Sequence, residues 1–275
     1  IPDPGDLQTL LNQQHIGEHM RIVGVDFDGC FAEYFAVPEV VCWKNDISIP
    51  PELACVQEPL GNACYATLGE DADVAGKTMA IVGDGPIALF SAGIARASGV
   101  TKIFLIGMAD ALLEIGKQMG ADHIINVTDK SADPVAFVRD HTGGYGADIV
   151  VDMAGNQKAI DLCFKLARKG GRFSAFGVAP SKKLEIDYND GIVFKGLRID
   201  GINGRRMFDT WYRVRNFLAS GRLDITPVIT DILPLAQFEE GFKRMAALPR
   251  TSAKIVLFPH DDEYQAAQER RNSRA

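Results

Sequence analysis

A glycine-rich stretch, Gly83-x-Gly85-x-x-Ala88, carries the residue types and spacing best suited to chemistry. It follows an apolar β-type run and opens a helix-length segment at Pro86. Gly83 allows a tight turn, Gly85 lets the backbone approach a pyrophosphate, and Ala88 lets the helix pack closely on the strand. Amide groups at the helix start would face the phosphates. We predict a dinucleotide-binding turn, the alternative being a purely structural strand-to-helix turn.

The residue that distinguishes NAD from NADP is expected at the end of the second strand, about 20 residues after the turn, where an acidic side chain binds the ribose hydroxyls. That strand is "KIFLIG", and its last residue is Gly107. Asp110 comes three residues later, where we expect it to cap a helix. No arginine follows in "MADALL" to hold a 2′-phosphate. Gly107 is predicted to lie at the cofactor, which is NAD or NADP.

The elements that must position this turn alternate between short apolar runs and capped helical segments from residue 77 to residue 203. This alternation is typical of βαβ units around a parallel sheet, whose strands are apolar on both faces. Asp133 and Asn156 are predicted helix caps, and the helix after Asn156 is expected to stop at Gly170 and Gly171. The predicted fold class is α/β, with a Rossmann-type doubly wound parallel sheet. The predicted strands are "TMAIVG", "KIFLIG", "HIINV", "ADIVVDMAG", "RFSAFGV" and "LRIDGIN".

The flanking segments have different patterns. Within residues 30–60, "CFAEYFAVP" alternates as an antiparallel strand does and indicates a separate β-rich unit. After residue 205, two stretches have helical periodicity, and "AKIVLF" is a predicted final strand. The charged tail, residues 259–275, is predicted to be disordered.

Composition restricts the class of partner. The 275 residues carry a net charge of −7, without the clustered Lys and Arg that binding to nucleic acid or an anionic membrane requires. Five cysteines without a Cys-x-x-Cys pair predict neither a disulfide framework nor a zinc knuckle. No apolar run approaches the roughly 20 residues that span a bilayer. We expect a cytoplasmic protein that binds a small molecule.

Five stretches together resemble the medium-chain dehydrogenase/reductase superfamily of zinc-type alcohol dehydrogenases, and within it the polyol and L-threonine 3-dehydrogenase-like members. The resemblance runs from about residue 15 to residue 258. It implies a GroES-like catalytic domain, incomplete in this chain, that is interrupted by the Rossmann domain. It also implies a homodimer or homotetramer. The stretches are "GCFAEYFAVP", "EPLGNACYATL", "VGDGPIA", "FKGLRIDGINGRRMFDTWY" and "SAKIVLF".

The resemblance implies roles for individual residues. Glu58 falls where the zinc members place an acidic or cysteine residue beside the catalytic metal, as a ligand or as a relay for the substrate's hydroxyl proton. The alternative for Glu58 is a solvated position in the first turn of a helix. The residues implied to line the NAD(P) site are Ile87, Phe176, Gly177, Val178, Ile202 and Asn203.

The chain departs from the family at the zinc ligands. The family's N-terminal segment, with Cys-Gly-x-Asp and Gly-His-Glu ligands, has no counterpart, and the chain is expected to begin after it. Zinc at Glu58 is therefore expected only where such a segment exists. In the structural-zinc loop, Asp3, Asp6, Thr9 and Gly17 take the four cysteine positions, so we predict no structural zinc.

Other polar residues have two interpretations each. Arg205 and Arg206 are predicted either to hold a substrate carboxylate or cofactor phosphate, or to form a solvated surface pair. His15 and His19 are expected to be exposed in a loop. The cysteines expected to be small buried residues are Cys30, Cys55, Cys64 and Cys163.

The predicted domains are residues 1–60, a remnant of the catalytic domain; 61–204, the Rossmann domain; 205–258, which returns to the catalytic domain; and the tail 259–275. The resemblance implies an NAD(P)-dependent dehydrogenase that takes hydride from a secondary alcohol, a polyol or a threonine-like hydroxy amino acid. Two alternatives are a zinc-independent reductase of the same superfamily and a truncated dinucleotide-binding protein without catalysis.

Overall fold

A computed structural model describes residues 1–181 and 183–273. Within these residues the strands are β1 (Thr78–Val82), β2 (Lys102–Gly107), β3 (His123–Asn126), β4 (Ala147–Asp152), β5 (Ala167–Ala175), β6 (Arg198–Gly201), β7 (Ile229–Pro234) and β8 (Lys254–Phe258). The α-helices are α1 (Leu7–Leu10), α2 (Pro51–Ala54), α3 (Gln57–Leu68), α4 (Pro86–Ala97), α5 (Asp110–Gln118), α6 (Pro134–Asp140), α7 (Gln157–Leu166), α8 (Asp209–Ala219), α9 (Phe238–Ala246) and α10 (Asp261–Asn272). Single helical turns lie at Gln14–Ile16, Glu39–Val41, Asn189–Val193, Thr226–Val228 and Leu235–Gln237.

The six strands of the main sheet are parallel and lie in the order β3-β2-β1-β4-β5-β6. Val82 of β1 is in register with Ile106 on one side and Asp152 on the other, so the carboxyl ends of the central strands are aligned. The strand order reverses between β1 and β4, and ligands of open α/β sheets bind beyond the carboxyl ends at such a point. The parallel sheet confirms the predicted α/β fold.

Apolar layers cover both faces of the sheet, as the two-sided apolar strands predict. Successive side chains of β1 point to opposite faces: Met79 and Ile81 join the layer under α3, α4 and α5, whereas Ala80 and Val82 join the layer under α6 and α7. Each of these four residues is at most 4% exposed. The sheet is therefore the buried centre of the molecule.

Two predicted helix caps are confirmed. The Asp133 carboxylate accepts hydrogen bonds from the backbone N–H groups of Val135 and Ala136, both at 3.0 Å. The Asn156 side chain accepts one from the backbone N–H of Ala159 at 3.1 Å. These bonds satisfy amide groups that have no partner within the first turn of a helix.

Two predictions of helix ends are wrong. Asp110 does not cap α5 but is its first residue, and its carboxylate accepts a hydrogen bond from the Asn126 side chain at 2.6 Å instead. The helix after Asn156 ends at Leu166, before the predicted glycines. Residues 167–175 form β5, because that segment pairs with both β4 and β6.

The predicted antiparallel strand at residues 30–38 is also wrong. The segment contains no strand, and the described part of residues 1–41 offers only one isolated bridge, between Val23 and Phe27. An alternating pattern forms a strand only where a neighbouring strand supplies hydrogen-bond partners. Strands β7 and β8 form a separate two-stranded parallel sheet.

The predicted disordered tail, residues 259–275, is wrong for the residues described, because Asp261–Asn272 form α10. Ala267 is 1% exposed within the main apolar layer. Arg270 makes a bidentate ion pair with Glu52 of α2, with N···O distances of 3.0 and 2.8 Å. These tertiary contacts stabilise a segment whose composition alone favours disorder. Residues 274 and 275 of the predicted tail lie outside the described residues.

Among the helices that the structure describes, none combines the length and the apolar composition needed to cross a membrane.

Candidate active site

The glycine turn lies between β1 and α4 at the switch point of the sheet. Gly83 has a φ of +129°, and an ideal Cβ at this position would lie 3.0 Å from the Cβ of Met153, so a side chain here is strained. Around the Cβ position of Gly85 there is open space to at least 4 Å. Gly85 is the N-cap of α4 and supplies no side-chain cap, and Pro86 is the first helical residue. The turn therefore leaves room for a phosphate at the start of a 12-residue helix.

The other residues predicted to line the cofactor lie at the same edge of the sheet. The backbone N–H of Gly177 donates to the carbonyl of Asp152, and that of Ile202 donates to the carbonyl of Ala175, both at 3.0 Å. Val178 is 91% exposed, and Asn203 is also exposed. The structure thus brings the residues that follow β5 and β6 to the edge where the glycine turn lies. These residues are Phe176, Gly177, Val178, Ile202 and Asn203.

Two carboxylates at this edge were missed in the sequence. Asp152 is 1% exposed, and its Oδ1 atom accepts hydrogen bonds from the backbone N–H groups of Ala154 and Gly155, at 2.9 and 3.0 Å. Asp84, inside the glycine turn, binds two backbone N–H groups just beyond β2. The available signal was an acidic residue directly at a strand end in each case, namely "IVVD" and "VGD".

A cavity of about 580 Å³ lies between the segment 1–41 and the carboxyl end of β6. This volume suits a small-molecule ligand. Glu58 and Asn62 of α3 line it together with Asn203 and Arg205, which follow β6. Glu58 therefore reaches the same space as the predicted cofactor residue Asn203.

The structure places Glu58 in the first turn of a helix with an arginine partner, and its role beside a catalytic metal stays a prediction. It lies in the first turn of α3, with 48% of its side chain exposed. Its Oε1 atom lies 2.8 Å from Nη1 of Arg205 and accepts a hydrogen bond from Nδ2 of Asn62 at 3.1 Å. A carboxylate held by two side chains at the edge of a cavity is suited to proton transfer.

The two adjacent arginines point to different partners. Arg205 pairs with Glu58, and its guanidinium carbon lies 4.9 Å from the ring centre of Trp211. Burial lowers the pKa of Arg205, and the Glu58 carboxylate opposes that shift. Arg206 pairs with Glu70 instead. Only Arg205 of the two lines the cavity of the described residues.

His15 does not lie exposed in a loop as predicted. It is 8% exposed and packs edge-on against Tyr65, with 5.5 Å between ring centres. Burial lowers the pKa of His15, and within the described part of the chain its Nδ1 atom has no hydrogen-bond partner. His19 is exposed, as predicted. The His15 imidazole lines the same cavity as Glu58.

The cysteine predictions are half correct. Cys64 and Cys163 are buried, and burial raises the pKa of the Cys64 thiol to about 12. Cys30 is exposed, so the prediction is wrong for it. Cys55 is exposed as a whole residue, although burial of its thiol raises the pKa to about 11.

Known proteins similar to this chain cover most of its length. A family model described as zinc-binding dehydrogenase matches residues 86–220. The L-threonine 3-dehydrogenase of Caldanaerobacter subterraneus subsp. tengcongensis is 42% identical over 246 residues, which are 89% of this chain and 69% of that protein. The chain belongs to the zinc-binding dehydrogenase family. The L-threonine 3-dehydrogenase of Bacillus licheniformis is likewise 42% identical, over 92% of this chain and 71% of that protein.

Solved structures agree with this assignment to the zinc-binding dehydrogenases. The alcohol dehydrogenase of Thermus sp. ATN1 superimposes with a TM-score of 0.85 at 25% identity, over 94% of this chain and 76% of that one. The predicted resemblance to the medium-chain dehydrogenase/reductase superfamily is thereby confirmed. The chain is an oxidoreductase that acts on the CH–OH group of a small-molecule alcohol with a nicotinamide cofactor.

The zinc that gives the family its name does not fit the residues described. Within residues 1–181 and 183–273, no three His, Cys, Asp or Glu side chains come together as a metal site. In the predicted structural-zinc loop, the Asp6 carboxylate accepts hydrogen bonds from the backbone N–H and Nδ1 of His19, at 2.9 and 2.5 Å. An ideal Cβ on Gly17 would lie 2.6 Å from Oδ2 of Asp6. A buried carboxylate paired with an exposed imidazole thus stands in a loop that would need four thiolates to hold a structural zinc.

Proposed function

We propose that this member of the zinc-binding dehydrogenase family oxidises the secondary hydroxyl of L-threonine, or of a closely related hydroxy amino acid, with NAD as cofactor. Relatives at 42% identity that are named L-threonine 3-dehydrogenase support the substrate class. The observation that carries the proposal is the pairing of Glu58 with Arg205 in the cavity next to Asn203. An amino acid presents a carboxylate to an arginine, and its hydroxyl group can then lie near a proton acceptor.

The edge of the sheet supplies the proposed cofactor site. Gly85 and the first turn of α4 would hold the pyrophosphate, because this helix start is open and has no side-chain cap. The adenosine would lie toward Gly107, and the nicotinamide toward Asn203, which borders the cavity. The proposed cofactor-binding residues are Gly83, Gly85, Pro86, Ile87, Gly107, Phe176, Gly177, Val178, Ile202 and Asn203.

The proposed mechanism divides the work between two side chains. When bound, the nicotinamide ring accepts the hydride that leaves the substrate carbon. Glu58 accepts the hydroxyl proton, so that the C–OH group becomes a carbonyl and charge is balanced. Arg205 stabilises the Glu58 carboxylate and offers its other N–H groups to the substrate carboxylate. Asn62 keeps Glu58 oriented through its hydrogen bond to Oε1.

We propose no catalytic step that depends on zinc. Glu58 is the family's candidate metal-side residue, and a catalytic zinc site needs three protein ligands in total. In the described part of the chain, no two further His, Cys, Asp or Glu side chains meet Glu58 to complete such a site. The mechanism above uses no step that depends on such a site.

The experiment that tests the proposal follows NADH formation with L-threonine, with purified protein assayed as isolated and after addition of zinc. A 2,3-butanediol and a sugar alcohol serve as comparison substrates. Preferential oxidation of L-threonine supports the proposal. If the protein reduces quinones with NADPH and oxidises none of the alcohols, the proposed dehydrogenase activity is wrong and the protein is a zinc-independent reductase. Nucleotide binding without oxidation of any alcohol would replace it with a binding protein without catalysis.

We also propose a homodimer or homotetramer that works in the cytoplasm. Strand β6 is an edge strand of the main sheet, so its outer side can pair with another copy of the chain. Ile199 on this strand is 40% exposed, which leaves apolar surface for such a contact. Light scattering on the eluted protein measures the mass directly, and a monomer at micromolar concentration contradicts the proposal.

A further inference from the structure

The side chain of Asp84 occupies an unusual place. Asp84 belongs to the glycine turn after β1, yet its carboxylate lies at the carboxyl end of the neighbouring strand β2. Its Oδ2 atom accepts hydrogen bonds from the backbone N–H groups of Met108 and Ala109, at 2.6 and 2.8 Å. Only 11% of the side chain is exposed. Two amide donors and burial therefore fix the carboxylate in one position.

The absence of a side chain at Gly107 leaves the space that the Asp84 carboxylate occupies. An ideal Cβ on Gly107 would lie 2.5 Å from the Cβ of Asp84 and 2.7 Å from its Oδ2. Real Cβ atoms do not approach other atoms to less than 3.0 Å. The Asp84 side chain therefore fills the space beside the last residue of β2, and any side chain at residue 107 would displace it.

This space has a defined use in dinucleotide-binding sheets. An acidic side chain at the end of the second strand binds the ribose hydroxyl of NAD, while an arginine nearby accommodates the extra phosphate of NADP. The chain lacks an acidic residue at the end of β2, but the fold brings a carboxylate there from the adjacent turn. The negative charge is thus present at the end of β2, although Asp84, which carries it, comes 23 positions before Gly107 in the sequence.

The second carboxylate oxygen of Asp84, Oδ1, faces Arg250 but is too far from it for a hydrogen bond. Oδ1 of Asp84 lies 3.6 Å from Nη1 of Arg250, and 34% of the Arg250 side chain is exposed. A distance of 3.6 Å is too long for a hydrogen bond, so Oδ1 keeps capacity to accept one from a ligand hydroxyl. The carboxylate is held by the backbone, whereas the arginine extends from the loop at residues 247–253, of which 247–249 and 251 are exposed.

We propose that Asp84 performs the task of the missing acidic residue and makes the site selective for NAD over NADP. Oδ1 accepts a hydrogen bond from a hydroxyl of the adenosine ribose, and the fixed negative charge repels a 2′-phosphate. The inference rests on the proposed nicotinamide cofactor site and names the residue that selects the cofactor. Arg250 is the competing cation, and the experiment decides which charge dominates.

The test measures binding and needs no turnover. Calorimetric titrations use ADP-ribose, 2′-phospho-ADP-ribose, NAD and NADP with the full chain. We expect the wild type to bind ADP-ribose at least about tenfold more tightly than its 2′-phosphate, the size of one hydrogen bond to a charged group. Asp84→Asn keeps an oxygen for the two amide donors but removes the charge, and should reduce this ratio about tenfold.

A matched control and a rescue separate binding from folding. Asp110→Asn makes the same chemical change at a carboxylate on the same edge, which binds Asn126, and should leave the ratio unchanged. The double variant Asp84→Gly with Gly107→Asp removes the Cβ that would clash with a side chain at residue 107, moves the carboxylate onto β2 and should restore the preference for NAD. This rescue is informative even where Asp84→Asn lowers stability in thermal melts.

The outcomes are distinct. Equal affinity of the wild type for both ligands, or an unchanged ratio in a folded Asp84→Asn protein, overturns the role of Asp84. If Asp110→Asn loses the preference for the ligand without the 2′-phosphate, Asp110 rather than Asp84 selects the cofactor, and the role of Asp84 is overturned. Failure of the wild type to bind any of the four nucleotides overturns the proposed cofactor site, and the inference with it.

Discussion

Nη1 of Arg205 lies 2.8 Å from Oε1 of Glu58, so an arginine that follows β6 reaches the first turn of α3, and both residues line the cavity. The contact joins two residues that are 147 positions apart. Because about half of the Glu58 side chain is exposed, the pair contributes little to stability, and its value is to arrange charge in the cavity. The first two predictions test that arrangement.

Replacement of Arg205 should impair substrate binding. In Arg205→Gln the substrate carboxylate loses a charged donor, and we expect the KM for L-threonine to rise roughly tenfold or more. Arg205→Lys keeps the charge without the forked geometry and should have an intermediate effect. Arg206→Gln is the matched control, since Arg206 pairs with Glu70. Steady-state kinetics give the values, and equal effects of both glutamine variants contradict the assignment.

Replacement of Glu58 should act on the chemical step. Glu58→Gln removes the proton acceptor but keeps the size of the side chain, so kcat should fall roughly 10²- to 10⁴-fold. The affinity for NAD should stay unchanged within about twofold, because Glu58 lies outside the proposed cofactor contacts. Glu70→Gln serves as the control. A Glu58→Gln enzyme with wild-type kcat shows that Glu58 is only a solvated helix residue.

The two glycines of the turn should respond differently to alanine. Gly83→Ala should lower the free energy of unfolding by roughly 1 to 3 kcal/mol, because φ is +129° and Met153 leaves no room. Gly85→Ala should change it by less than about 0.5 kcal/mol, because φ is −70° and the space is open. The Gly85→Ala methyl group should nevertheless weaken NAD binding at least about tenfold.

Denaturant melts measure the first effect and calorimetry the second. A destabilised Gly85→Ala protein shows that the turn needs this glycine for folding rather than for a phosphate. Unchanged nucleotide affinity in Gly85→Ala places the pyrophosphate elsewhere.

The loop that contains Asp6 and His19 should open as the pH rises. The hydrogen bond between the two side chains raises the pKa of His19 above its ordinary 6.5 and lowers that of Asp6 below its ordinary 3.8. The contribution of His19 is fully present below pH 6.5 and is lost as the pH rises through its raised pKa. The contribution of Asp6 is present above pH 3.8 and is lost as the pH falls through its lowered pKa. The loop is therefore held best between pH 3.8 and 6.5.

Amide hydrogen exchange of residues 6–19, corrected for the intrinsic pH dependence, measures this opening. His19→Gln should remove the loss of protection at high pH. His260→Gln changes an exposed histidine far along the chain and should leave the profile as in the wild type. If protection of these amides does not change between pH 5 and pH 9 in the wild-type protein, the hydrogen bond between Asp6 and His19 does not stabilise the loop.

The sequence predicted those parts of the molecule that depend on local patterns. The six parallel strands follow from apolar runs, and the caps at Asp133 and Asn156 act on residues two or three positions away. The edge of the sheet that carries the glycine turn could likewise be predicted, because strand ends define it. Roles in cofactor contact stay predictions for all ten proposed cofactor residues.

The errors share a cause, which is that distant residues decide the local structure. Asp110 does not cap α5, and the carboxylate of Asp84 binds the N–H groups of Met108 and Ala109 just before it. Helix α10 depends on a partner in α2. His15 is buried because Tyr65 of α3 covers it. No window of neighbouring residues contains this information. The domain boundaries at residues 60, 204 and 258 stay predictions.

The ion pair between Glu52 and Arg270 joins residues 218 positions apart in the sequence. During synthesis, Glu52 leaves the ribosome long before Arg270 is made. The short helix that leads into α3 must therefore wait for the last helix before its attachment is complete, whereas the sheet can form earlier from residues 78–201. Interrupted translation would thus release a chain with its main sheet assembled and helix α2 still without its ion-pair partner.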